Sequence, residues 1–463
     1  MDKQQKYEMM TEQPVEKVIC RMAVPTIISM LVSSFYNMAD TYFVGTVNGG
    51  NDTSATAAVG IVFSLMAIIQ AVGFFFGHGS GNYISHKLGA NDYSEAERMA
   101  ANGFGLALGG GLLIMTLGLI FIEPLSYMLG ATKTNIKYVK DYLSIILIGA
   151  PIMCPSLVLN NQLRFQGSAA YGMIGISTGA VINIGLDWLF ITRFGWEVKG
   201  AAIATVISQF VSFCLLLFGT TFKSNLTLNL KRFKLNGFYI KEIFRSGTPS
   251  LCRQGLASVA TICLNIAAAS AAVMDSIPED DAISAMSIVT RIMFFAGAAL
   301  IGFGQGFQPV CGFNYGAKRY DRVLKSFLFC VKVSAVFLTV VSAVGFVFAG
   351  NLVQLFKDNA NVIEYGKVAL RMQLISFPFA SYVVMSNMMA QNLGRVFRAS
   401  FLAMARQGLL FIPCVLILTH FFGMLGVQIS QAIADLLTFF ITVPMMMPII
   451  RELKEKSKEN KQN

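Results

Sequence analysis

Charge is scarce in this chain. Of its 463 residues only 13% are Asp, Glu, Lys or Arg, while 55% are hydrophobic and the mean hydropathy is +0.60. A soluble domain carries about 25% charged residues, so the composition excludes an ordinary soluble protein and leaves a polytopic membrane protein. Histidine occurs only at 78, 86 and 420, in unrelated places, and neither GxSxG nor HExxH is present. Hydrolase and metalloenzyme chemistry therefore lack support. No GxxxxGKS or GxxxxGKT occurs, so the chain offers ATP no phosphate loop. The eight cysteines (Cys20, Cys154, Cys214, Cys252, Cys263, Cys311, Cys330, Cys414) show no CxxC spacing and sit mostly in apolar runs. They read as small buried hydrophobes, with no disulfide framework or metal site. The first twenty residues are polar and lack an apolar signal core, so the first spanning helix is expected to act as the insertion signal.

What is present is a series of apolar runs of spanning length. They fall at 22–46, 56–80, 101–122, 139–162, 172–193 and 199–221, then at 245–272, 283–308, 326–348, 364–391, 399–420 and 424–448. The expected fold is all-α, with twelve transmembrane helices in two six-helix bundles. The expected units are 1–222, a cytoplasmic linker 223–244, and 245–463 with a basic cytoplasmic tail. Sliding 58–167 onto 285–394 without a gap gives 23 identities in 110 positions, where chance would give roughly 8. Among them are Gly77/Gly304, Gly79/Gly306, Gly89/Gly316, Ala90/Ala317, Pro151/Pro378, Asn160/Asn387 and Gly167/Gly394. At an offset of 226 the likeness resumes with Gly200/Gly426 and Ile203/Ile429. Six helices per repeat is an even number, so both bundles enter the membrane from one side. A pseudo-two-fold axis along the membrane normal follows, with a cavity between the bundles.

The surplus charge of +11 lies in short segments between the runs, as in loops facing anionic lipid, so a nucleic acid partner is not expected. With the N-terminus in the cytoplasm, 24 Lys and Arg fall inside, Arg164 and those of 221–246 among them, and seven outside. Both termini are then cytoplasmic in a multi-pass plasma-membrane protein.

Within the apolar runs a carboxylate costs several kcal/mol unless paired, hydrated or neutralised. Asp40 lies in the first run, about one and a half turns from its outer end, and Asp187 lies at a similar height in the fifth. Asn183, four residues before Asp187, faces the same way, and Thr205 reaches the same level in the sixth run. Two carboxylates, an amide and a hydroxyl at one depth could hold a hard monovalent cation, or relay a proton with one acid protonated. The bland alternative is that each acid bonds a backbone or hydroxyl group and only positions helices. Asp435 is a third intramembrane acid, at the position equivalent to Gln209, and stands alone in its stretch. Tyr36, Asn37, Arg253, Gln254 and Asn387 are candidate cavity-lining groups. Arg253, Arg291 and Arg371 equally suit helix-end snorkelling or interhelical bonds. Pro25 is either a first-turn proline or, if its helix starts near Val15, an internal one that allows bending. The glycine clusters 77–81 and 302–306 match across the repeat and follow no strand, which points to close helix packing.

The pattern AVPTIISMLVSSFYNMADTYFVG, the loops LGAND and YGAKRYDR, and Asn183-x-x-x-Asp187 followed by GAAIAT ending at Thr205 resemble the multidrug and toxic compound extrusion (MATE) family. The likeness spans nearly the whole chain. It implies a cation-coupled exporter of amphipathic, often cationic drugs, working in the lipid bilayer as a monomer, without a cofactor beyond the coupling ion, H+ or Na+. It further implies that Asp40, Asn183, Asp187 and Thr205 form the cation or proton site and that Pro25 is the proline proposed to bend. Runs 245–272 and 370–391 hold no carboxylate, unlike the NorM-like branch, so the chain looks like the DinF-like or MepA-like branches, with coupling in the first lobe. A lipid-linked precursor flippase of related architecture is the alternative. A membrane-embedded enzyme is a weaker one, since no nucleophile–base pair is visible.

Overall fold

The computed structural model describes residues 3–45, 53–133, 135–222 and 226–462. Within these, the side chains of residues 37, 38, 40–42, 44, 45, 53–57, 59 and 461 lie outside the description. Among the described residues there is no strand, and eleven segments are long and apolar enough to cross a membrane. The last, Val396–Asn460, has two crossing lengths, because Gly423 leaves helical geometry at φ 54° and ψ −133°. That recovers the twelve runs of the sequence. The protein is an all-helical, multi-pass membrane protein. Large apolar side chains such as Ile262, Leu113 and Phe440 stay exposed on its helices, as suits surfaces solvated by lipid and not by water.

The chain divides into two compact units, Met1–Leu251 and Cys252–Asn463, with the break inside one helix. In the first unit a short helix α1 (Lys3–Thr11) precedes α2 (Val15–Gly45), α3 (Thr53–Gly89), α4 (Tyr93–Ile120), α5 (Ile122–Met128), α6 (Ile136–Phe165), α7 (Ala169–Asp187) and α8 (Glu197–Phe222). Helix α6 is the hub, packed by α3, α4, α7 and α8, while α7 lies between α2 and α8. Of the stretch read as a linker, the part after 225 docks on this unit. The buried Leu226 donates its N–H to Gln166 Oε1 at 3.3 Å, and Arg232 pairs with Glu97 at 2.9 Å. Helix α9 (Gly237–Met274) starts eight residues before the expected 245, because the Asn236 side chain accepts the Phe238 N–H and the Tyr239 hydroxyl donates to Glu95 at 2.9 Å.

The second unit continues with α10 (Glu279–Gly316), α11 (Tyr320–Val347), α12 (Ala349–Gln354), α13 (Ala360–Asn392), α14 (Val396–Met404) and α15 (Phe411–Gln462). Its hub is α13, packed by α10, α11, α14 and α15. The repeat is copied in the boundaries: α4 and α11 both have 28 residues, and the ends of α3 and α6 match those of α10 and α13 at an offset of 227. One long-range contact repeats as well. The Asn160 side chain abuts Gly172, and Asn387 donates to the Ala399 carbonyl at 2.6 Å, again 227 residues on.

The glycine clusters do pack helices. Gly73 and Gly77 of α3, one turn apart, face Leu157 and Asn161 of α6 so closely that a Cβ would come within 2.6–2.7 Å of those side chains. No larger residue fits such a helix crossing.

Candidate functional site: a buried acid in the first unit

A ladder of small residues on α7 sets the approach of α8. Gly175 and Gly179 lie four residues apart, and a Cβ on each would meet Leu216 at 2.7 Å and Ser212 at 2.9 Å. With the backbones held this close, the next residues on the same face, Asn183 and Asp187, are turned into the helix interface. Both are buried, at 1% and 0% exposure, as is Thr205 of α8 at 2%. The Asn183 amide donates to Thr205 Oγ1 at 3.5 Å, a loose contact. Asn183 Oδ1 is buried and accepts no hydrogen bond from the described residues. Asp187 ends the α-helical part of α7, and a π-helical turn (Trp188–Arg193) follows directly. Such turns cluster at functional sites, since the extra residue re-aims the side chains beside it. An amide oxygen, a hydroxyl and a carboxylate are the donor types a hard cation takes, and a lone proton on the carboxylate suits the same pocket. Among the described residues no group of three His, Cys, Asp or Glu is placed to hold a metal.

The first-run residues are only partly in view. Helix α2 packs along α7 and also touches α8, but the side chains of Asp40 and Asn37 lie outside the described residues. Tyr36 is half-buried. Pro25 is the eleventh residue of α2, which begins at Val15, so the first-turn reading is replaced by the internal one. Its missing N–H leaves a gap in the ladder of α2. Flanking hydroxyls bond nearby carbonyls: Thr26 donates to Ala23 O at 2.8 Å and Ser29 to Pro25 O at 2.9 Å. Arg253 and Gln254 are half-buried on α9. Asn387, expected to line a cavity, is buried and spends its amide tying α13 to α14.

Two buried polar clusters escaped the sequence reading. Asp435 is not alone, as it accepts from Arg406 Nε and from Gln431, each at 3.0 Å. Arg406 lies in a second π-helical turn, Ala405–Leu409. Arg164, counted above among loop cations, is 2% exposed and donates to Asn161 Oδ1 at 2.6 Å while lying 3.1 Å from Nε2 of the buried His78. His78 Nδ1 is 3.1 Å from both the Phe74 carbonyl and Ser250 Oγ. Since a carbonyl only accepts, Nδ1 carries the proton and Nε2 accepts from the guanidinium. The signal available in sequence was the repeat, which sets Gln305 and Gln391 opposite His78 and Arg164.

The MatE family model matches residues 25–189 and 257–417, both hubs and the α7 site included. The chain belongs to the MatE family. As a member it is a membrane transporter and not an enzyme. Curated relatives of this MatE chain include the multidrug export protein MepA of Staphylococcus aureus (strain NCTC 8325 / PS 47), 27% identical over 429 residues that cover 92% of each chain. MepA of Staphylococcus haemolyticus (strain JCSC1435) is 27% identical over 434 residues, 93% of each. A multidrug resistance MATE family transporter of the MOP superfamily, solved in an outward-facing conformation, superposes with a TM-score of 0.90 at 25% identity, covering 97% of this chain and 98% of that one. A MOP superfamily transporter from Pyrococcus furiosus Vc1 (DSM3638), solved with a binding pocket of reversed polarity, reaches 0.89 at the same identity and coverage.

Proposed function

We propose that this MatE-family chain is a secondary active multidrug exporter, which moves amphipathic, often cationic compounds out of the cell by antiport of H+ or Na+ through alternating access. The observation that carries the reading is the buried Asp187, set one turn beyond Asn183, whose amide meets the Thr205 hydroxyl of α8. A carboxylate in such a place is retained at a cost of several kcal/mol, and reversible loading with a cation gives that cost a use. Asp40 completes the site from α2, which packs on α7. Loading removes one negative charge between α2 and α7. Helix α2, interrupted at Pro25, is the element free to bend in response. Tyr36, Asn37, Arg253 and Gln254 are the proposed polar contacts for substrate. The likeness to MepA over nine-tenths of both chains supports the drug class. The chain works as a monomer in the cytoplasmic membrane, and the distribution of Lys and Arg supports both termini lying inside.

The test is dye efflux from vesicles carrying the purified chain under an imposed ΔpH or an imposed ΔNa+. One gradient drives efflux, and Asp40→Asn or Asp187→Asn abolishes it while each variant keeps its elution profile and helical signal. Unchanged efflux in both variants would remove the site. The gradient that works identifies the coupling ion.

A further inference from the structure

The chain between α8 and α9 presents two unlike sides. One is spent on the first unit. Phe233 lies so close to Gly105 of α4 that a Cβ there would meet its ring at 2.5 Å, and Arg232 pairs with Glu97 at 2.9 Å. At the start of α9 the buried Tyr239, Ile243 and Ser246 recur at helical spacing, with the Tyr239 hydroxyl on Glu95. These contacts hold the segment in place and fix which side chains point away from the unit.

The other side mixes apolar groups with cations. Leu230, Leu235 and Phe238 are 55%, 70% and 53% exposed, and Lys231, Lys234 and Lys241 are exposed among them. Phe238, Lys241 and Phe244 follow one another at three-residue steps along α9, on the side opposite the buried set. From Leu226 to Arg245 the sequence holds five basic residues and a single acid, Glu242, so the sign of the surface is decided. The flanking spans Glu197–Thr221 and Gly237–Met274 are consecutive, which brings the segment to one membrane surface. Water disfavours a row of exposed Leu and Phe, and acyl chains disfavour lysine, but the headgroup layer takes both. The described residues 3–21, which lead into α2, bury Met9 and Met10 and expose no large apolar side chain. Leading into a spanning helix does not by itself require such a surface.

We infer that residues 230–241 form an interfacial anchor that binds an anionic phospholipid surface. Leu235 and Phe238 enter the boundary between headgroups and acyl chains, and Lys231, Lys234 and Lys241 meet the lipid phosphates. Lysine suits this place, since its charge rides on a flexible apolar stem that can follow a fluid headgroup layer. The flanking spans hold the segment at the membrane, which favours lipid over an acidic soluble protein as the partner. The inference stands on the first unit alone and does not depend on the antiport reading.

The experiment measures hydrogen exchange of the full chain in nanodiscs of phosphatidylcholine, alone or with a fifth of the lipid replaced by phosphatidylglycerol. Amides of 230–238 should exchange about fivefold more slowly with phosphatidylglycerol present, while those of α13 stay unchanged. The difference should vanish in K231Q/K234Q/K241Q, and L235S/F238S should exchange faster than the natural chain in both lipids. All five side chains are exposed, so each variant should keep the unfolding midpoint of the natural chain in phosphatidylcholine. A second measurement reads depth without weakening the segment: the emission added by Phe238→Trp should be quenched by bromine on the acyl chains and little by iodide in water. The inference is overturned if phosphatidylglycerol leaves the 230–238 amides of the natural chain unchanged, or if the lysine variant responds as the natural chain does. Quenching by iodide and not by bromine would also overturn it, by placing the segment in water, open to a soluble partner.

Discussion

Each unit buries an acid, and the two surroundings differ. In the second unit Asp435 is met by Arg406 at 3.0 Å, and the pair is neutral as it stands. In the first unit Asp187 is fully buried at the end of α7, one turn beyond Asn183, whose amide donates to the Thr205 hydroxyl of α8. The repeat sharpens the contrast. Arg406 falls within a residue of the counterpart of Gly179, and Asp435 is the counterpart of Gln209. A glycine that lets α7 and α8 close in one unit thus corresponds to an arginine that pairs with an acid in the other. Similar folds thus carry different polar groups at equivalent places.

The largest expected effect breaks the comparison directly. Asp187→Asn should abolish transport with little change in unfolding midpoint, whereas Asp435→Leu should leave the coupling ion unchanged and cost about 2 kcal/mol of stability. That figure sits below the full value for a buried pair because the Arg406 side chain is 26% exposed. Adding Arg406→Met should recover the stability, as when a buried pair is replaced by apolar residues. Dye efflux and thermal unfolding of the three variants check this.

Gly179→Val should come next. It forces α7 from α8 by overpacking, at about 1–3 kcal/mol, and should lower transport by moving Asn183 off Thr205. A variant that transports normally would show that the spacing is not critical. Gly423→Ala tests a break of the second unit, where Asp275 accepts the Met424 N–H at 2.7 Å and a Cβ would meet its carboxylate at 2.5 Å. About 1–3 kcal/mol of destabilisation is expected, from strained backbone and the lost cap.

The smallest effect concerns pH. Lys6 is buried and donates to Ser168, the residue before α7, at 2.8 Å, and burial lowers its pKa to about 8 from 10.5. Between those values the unfolded chain binds more protons than the folded one, so docking of α1 should strengthen as pH rises from 8 to 10.5. Hydrogen exchange in α1 at the two ends of that range reads the change. Lys6→Met should flatten it.

Much of this was legible in the residues. Twelve apolar runs, the two-fold repeat and the meeting of Asn183 with Thr205 follow from spacing, because a bilayer imposes a length on every helix and a helix imposes a face on every fourth residue. The internal place of Pro25 did not follow. It depends on where α2 begins, and residues Val15–Arg21, in which Glu16, Lys17 and Arg21 break the apolar run, extend the helix beyond it.

Spacing in one helix is a local property, and so the sequence by itself determined the membrane class, the helix count and which side chains share a face. Partnership between helices is not local. That Arg406 neutralises Asp435, that Arg164 turns from the loops onto His78, and that Gly179 admits Ser212 were decided by the tertiary structure alone, because each depends on which helices the hubs α6 and α13 bring within a few ångströms.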